Sequence, residues 1–109
     1  MADGGLFIDD GYTVTSHVPA AAGLHPAAVV VYRPALHKER RQYAAKLDTR
    51  NPDAVSQYEC DVLARHVVSL NGQPVPRDRV GRVHPALFAK LVDLVFGYAP
   101  AEEEADAKN

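Results

Sequence analysis

Apolar and polar side chains first alternate over residues 12–18, where Tyr12, Val14 and Val18 fall on one face and Thr13, Thr15 and His17 on the other. A period of two predicts a half-buried strand, with Ser16 a mild break in its apolar face. Pro19 and residues 20–26 interrupt the pattern, and residues 27–33 supply the β-branched run Val29, Val30, Val31, then Tyr32, before Pro34 stops it. The two segments predict an antiparallel hairpin with a long connection. Two strands are marginal alone, so the hairpin must rest on helices.

After Pro34 the period lengthens. Leu36, Tyr43, Ala44 and Leu47 share one side of a helix near residues 36–48, and His37, Glu39, Arg40, Gln42 and Lys46 fill the rest. Asn51-Pro52-Asp53 is a clearer start signal. Asn51 can cap free amides, Pro52 has the φ of a first helical residue, and Asp53 meets the positive helix end. Val55, Tyr58, Val62, Leu63, His66, Val67 and Leu70 then recur at three and four residues, predicting a helix over 52–70 that stops at Asn71-Gly72. Residues 73–76 form a connector, and Asp78 is expected to cap a short turn through Val80. His84-Pro85 opens a last helix over 85–96, in which Leu87, Phe88, Leu91, Val92, Leu94, Val95 and Phe96 leave little polar surface before Gly97. Such a helix is either central to the core or shared with a partner. The expected fold is α+β: a two-stranded antiparallel hairpin packed on three helices, in one domain spanning 11–98. A flexible acidic N-terminus, 1–10, and a disordered acidic tail, 99–109, flank it.

Charge distribution sharpens this picture. The 109 residues contain 12 Lys and Arg against 14 Asp and Glu, a net charge of −2 that argues against a protein built wholly to coat nucleic acid. Asp3, Asp9 and Asp10 lie near one end and Glu102, Glu103, Glu104 and Asp106 near the other, so residues 11–98 carry +4. Within 33–50, Arg33, Lys38, Arg40, Arg41, Lys46 and Arg50 face only Glu39 and Asp48. This basic segment fits phosphates or an acidic protein; its plain alternative is a solvated helix face.

Catalytic and metal chemistry find little footing. His17, His25, His37, His66 and His84 include no pair at i and i+4, and Cys60 has no second thiol to join it in a zinc site. His66 lies in an apolar stripe, where a core histidine bonded to backbone is the simplest role. Cys60, between Glu59 and Asp61, lacks the cationic neighbour that thiolate chemistry requires, and a lone cysteine fits a reducing compartment. The glycines form no phosphate-binding loop, and paired acids occur only near the chain ends. Neither enzyme activity, metal nor cofactor is expected. The apolar stretch 87–96 contains Lys90 and Asp93 and falls well short of the roughly 20 residues that span a bilayer. The N-terminal apolar run, Leu6-Phe7-Ile8, has no basic flank, so a signal peptide is not expected either.

The strand ending Val29-Val30-Val31-Tyr32-Arg33-Pro34, the basic helix, the Leu70-Asn71-Gly72 ending, Val83-His84-Pro85-Ala86-Leu87-Phe88-Ala89-Lys90-Leu91 and Phe96-Gly97-Tyr98 follow in that order. Over about residues 11–98 this resembles the small tail assembly chaperones of tailed bacteriophages and prophages. The resemblance implies a cytoplasmic protein that binds the phage tape measure protein and helps tail tube subunits gather on it, without catalysis or cofactor. Arg33, Lys38, Arg40, Arg41 and Lys46, with Phe88 and Val92 as outward residues of the last helix, are the expected partner-binding positions. The alternative is a nucleic-acid-binding accessory protein using the basic 33–50 segment. Against it, only Tyr43 interleaves those bases, and it is expected to point inward.

Overall fold

Alternation does produce a strand at Val14–Val18 (β1), and it pairs antiparallel with Ala28–Tyr32 (β2) in the register Val14 to Tyr32 through Val18 to Ala28. The computed structural model describes residues 12–97; the acidic ends expected at 1–10 and 99–109 lie outside them. After β2 come α1 (His37–Asp48), α2 (Pro52–His66), β3 (Val67–Leu70), α3 (Arg77–Val80) and α4 (Pro85–Phe96). The fold is α+β.

Among the described residues the sheet has three strands, in the order β1-β2-β3, which corrects the two-stranded hairpin. The helix expected over 52–70 ends at His66, and Val67–Leu70 pairs antiparallel with β2. Asn71-Gly72 is therefore not a helix stop. With φ of 51° and 81°, the two residues occupy the left-handed region together, and Leu70 and Gln73 exchange backbone hydrogen bonds of 2.8 and 2.9 Å across them. That is a two-residue hairpin turn, for which Asn-Gly is the favoured pair. Asn71 also ties the turn to β2: its Oδ1 accepts from the Val29 N–H at 2.7 Å and its Nδ2 donates to the Ala27 carbonyl. Val68 is the extra residue of a bulge, since Val31 faces Ser69 while Tyr32 faces Val67.

Three further expectations change. There are four helices among the described residues, because residues 77–80 form a helical turn in which Asp78 lies inside and Pro76 occupies the cap. Leu36 and Leu47 of the expected α1 stripe are exposed, and Glu39 and Tyr43 are the buried residues of that helix. Val92 was expected to face outward but is buried, along with Leu87, Leu91, Leu94, Val95 and Phe96. α4 is thus the centre of the core, packed on by Val30, Val62, Leu63 and Val80, all fully buried. Asn51 caps α2 as expected, with its Oδ1 accepting from the Asp53 and Ala54 N–H groups, and Gly97 ends α4 at φ 84°.

Helices and core lie on one side of the sheet. Val18, Ala28, Val30, Tyr32 and Val67 are buried, whereas Thr15, His17, Val29 and Val68 of the opposite face are exposed.

Two glycines separate backbone strain from space, since a Cβ at either Gly72 or Gly81 would meet nothing within 4 Å. Gly72→Ala should lower unfolding stability by about 1–2 kcal/mol through its left-handed backbone alone. Gly81→Ala, at φ −72°, should be neutral or stabilising by up to about 1 kcal/mol. Urea denaturation checks both; equal effects would contradict the hairpin turn. Val62→Asp places an unpaired charge at a fully buried position and should abolish cooperative unfolding, since such a burial costs several kcal/mol of a typical total of about 5–15.

Candidate functional site

The basic segment is built on α1 and its flanks, and the structure divides its cations among different roles. Lys38 and Arg41, three residues apart on α1, are exposed and have no ion-pair partner among the described residues. Arg40 turns another way. Its guanidinium carbon lies 3.6 Å from where a side chain on Gly97 would begin, so the charge sits over the C-terminal end of α4, the negative end of that helix. Arg33 uses its backbone: its N–H donates to the His66 carbonyl at 2.7 Å, and its side chain is exposed. Lys46 is exposed in the last turn of α1, and Arg50 takes a left-handed φ of 55° in the link to α2.

The apolar half of the expected surface is elsewhere. Phe88 is half-buried against the core, eight residues and about 12 Å back along α4 from Phe96. Phe96 stacks on Tyr43 with ring centroids 4.3 Å apart, which holds α1 to the far end of α4. Tyr43 points inward, as expected. Arg40 and Phe88 therefore belong to opposite ends of α4, and Val92 is covered. Two arginines that received no weight in the sequence, Arg79 within α3 and Arg82 just after it, are exposed without an ion-pair partner among the described residues. The signal was three arginines within residues 77–82. The first, Arg77, is engaged with Asp61 at 2.6 Å.

Among the described residues, no group of three His, Cys, Asp or Glu could hold a metal ion, and no helix is long and apolar enough to cross a membrane. His25 is buried, with Nδ1 2.7 Å from the Pro26 carbonyl and Nε2 3.3 Å from Lys90 Nζ. Cys60 is a half-buried free thiol against the core.

What positions α1 is the buried carboxylate of Glu39. It accepts the Leu36 N–H at 2.8 Å, closing the first turn of its own helix, and Arg65 Nη2 at 3.1 Å. His66 Nε2 lies 3.0 Å from it, and the same ring's Nδ1 lies 2.9 Å from the Arg33 carbonyl. A carbonyl and a carboxylate can only accept, so His66 satisfies both when its ring carries both protons. Burial pushes the Glu39 carboxyl upward, but the hydrogen bonds from Leu36, His66 and Arg65 outweigh it and hold the group below its ordinary value. A carboxyl depressed in the folded state contributes stability above its unfolded pKa and loses it as pH falls through the folded one. Stability should therefore decline on acidification below about pH 4.3, the ordinary glutamate value. Glu39→Gln should flatten that decline and cost about 2 kcal/mol at neutral pH. Denaturant titrations at several pH values measure both, and an unchanged acid slope would show that Glu39 is not the titrating group.

Compared with known proteins, the chain gives no match: no family model fits it, and no curated protein or solved structure is significantly similar to it.

Proposed function

We propose that this protein is a non-catalytic protein-binding module, a tail assembly chaperone that holds a segment of the phage tape measure protein. The observation that carries this reading is the outer face of the sheet, where, among the described residues, Val29 and Val68 are 38% and 41% exposed beside the half-buried Val31. Aliphatic side chains on an open sheet suit an apolar protein surface and offer nothing for a base to stack on. Lys38 and Arg41 add a cationic helix face that steers an acidic partner. The order of the Tyr32-Arg33-Pro34 strand ending and the His84-Pro85-Ala86-Leu87-Phe88 opening of α4 supports the chaperone assignment. Partner binding is reassigned from Val92, which is covered, to the sheet valines.

The test is calorimetry and stopped-flow binding against segments of a phage tape measure protein, and against duplex and single-stranded DNA at two salt concentrations. Lys38→Glu with Arg41→Glu should mainly slow association and reduce its salt dependence, because exposed charges act over a Debye length of about 8 Å. Val29→Lys with Val68→Lys should speed dissociation roughly tenfold, equivalent to about 1.4 kcal/mol, with the fold intact. Binding to DNA alone, falling steeply with salt and lost in the Lys38/Arg41 variant, would replace this reading with the nucleic-acid-binding one.

A further inference from the structure

Where β3 turns into the α3–α4 region, the chain leaves a groove of about 240 Å³. Its floor is aliphatic: Val75 and Leu87 are buried at its base, and Leu70 and Val83 are half-exposed along it. Arg79 and Arg82 stand exposed at its rim. Their situation differs from that of other arginines in the fold. Arg65 is spent on Glu39, Arg77 on Asp61, and Arg40 lies over the end of α4. The rim arginines have no carboxylate partner among the described residues, although each can hold a carboxylate through two parallel N–H bonds. The first turn of α4 also lines the groove, through His84 and Leu87, and no side chain caps it, so the positive end of that helix adds to the same field.

An aliphatic floor under two unpaired guanidinium groups selects a ligand that is apolar and anionic at once. The volume falls below the roughly 300–1,000 Å³ of small-molecule pockets, which suits one or two side chains of a longer chain. We propose that this groove takes an acidic, leucine-rich segment of the partner protein, its apolar side chains on Leu70, Val83 and Leu87 and its carboxylates on Arg79 and Arg82. This rests on the protein-binding reading and gives the partner's contact a chemistry.

The probe is a fluorescein-labelled peptide in which glutamates flank two leucines, compared with a counterpart carrying lysine for glutamate and one carrying serine for leucine. Fluorescence anisotropy on the full chain should show the glutamate–leucine peptide binding at least tenfold tighter than either counterpart. Arg79→Glu with Arg82→Glu should reverse the preference, so that the lysine–leucine peptide becomes the better ligand; both arginines are exposed, and circular dichroism verifies the fold. Leu70→Ser supplies an independent arm and should weaken the glutamate–leucine peptide without altering its preference over lysine.

Equal binding of the leucine and serine peptides would overturn the apolar floor. Indifference to the Arg79/Arg82 change would overturn the site. If the acidic peptide binds only after Asp9, Asp10, Glu102, Glu103 and Glu104 are exchanged for amides, the occupant is the chain's own acidic end and the partner proposal fails. Faster dissociation of the tape measure segment from the sheet-valine variant, with peptide binding at the groove unchanged, supports two separate contacts. Tape measure binding that survives the Arg79/Arg82 change overturns the groove as a partner contact and leaves the wider binding reading standing.

Discussion

One buried carboxylate links three parts of this chain. Glu39 closes the first turn of α1 through Leu36, receives Arg65 and His66 from the end of α2, and through the His66 ring is tied to the Arg33 carbonyl just beyond β2. A charge out of water is costly unless its lone pairs are served, and here two side chains at the end of α2 and the Leu36 backbone N–H serve them. The arrangement therefore sets the angle at which α1 leaves the sheet. It also fixes where α2 must end, because His66 has to reach both Glu39 and the strand. The Tyr43–Phe96 stack then joins the middle of α1 to the end of α4, and the rest of the core fills the space between.

Local signals were legible where one residue type has one physical use. Asn51-Pro52-Asp53 started α2, Gly97 ended α4, and the alternation around Val14 and the valines of β2 made paired strands. The third strand was not legible from period alone. Val67 and Leu70 continue the three-and-four spacing of Leu63 and His66, so a helix absorbs them without a break. Asn71-Gly72 suits a helix end as well as a hairpin, and only the pairing of Val67–Leu70 with β2 decides between them. Glu39 was hidden for a different reason. A charged residue on a basic helix reads as surface, and the partners that make its burial tolerable lie 26 and 27 residues away.

The candidate surface was legible in part. The density of cations in 33–50 is plain in the sequence, but whether each points to solvent depends on the helix face that Glu39 and Tyr43 bury. That choice leaves Lys38 and Arg41 outward and lays Arg40 over the end of α4. Val92 could not be placed from its own helix, since α4 is apolar nearly all round and its exposed strip is set by what packs on it. Arg79 and Arg82 were overlooked because a four-residue helix has no periodicity to reveal a face.

The passage from His66 to Val67 joins a helix to a strand with no residue between them. Most connections in a small domain have slack that absorbs a gained or lost residue. This one has none. A single insertion there would either slip β3 by one residue, turning Val67 and Leu70 to the opposite side of the sheet, or carry the His66 ring out of reach of its two acceptors. The chain can absorb a change of length in the connection between β1 and β2, but not between His66 and Leu70.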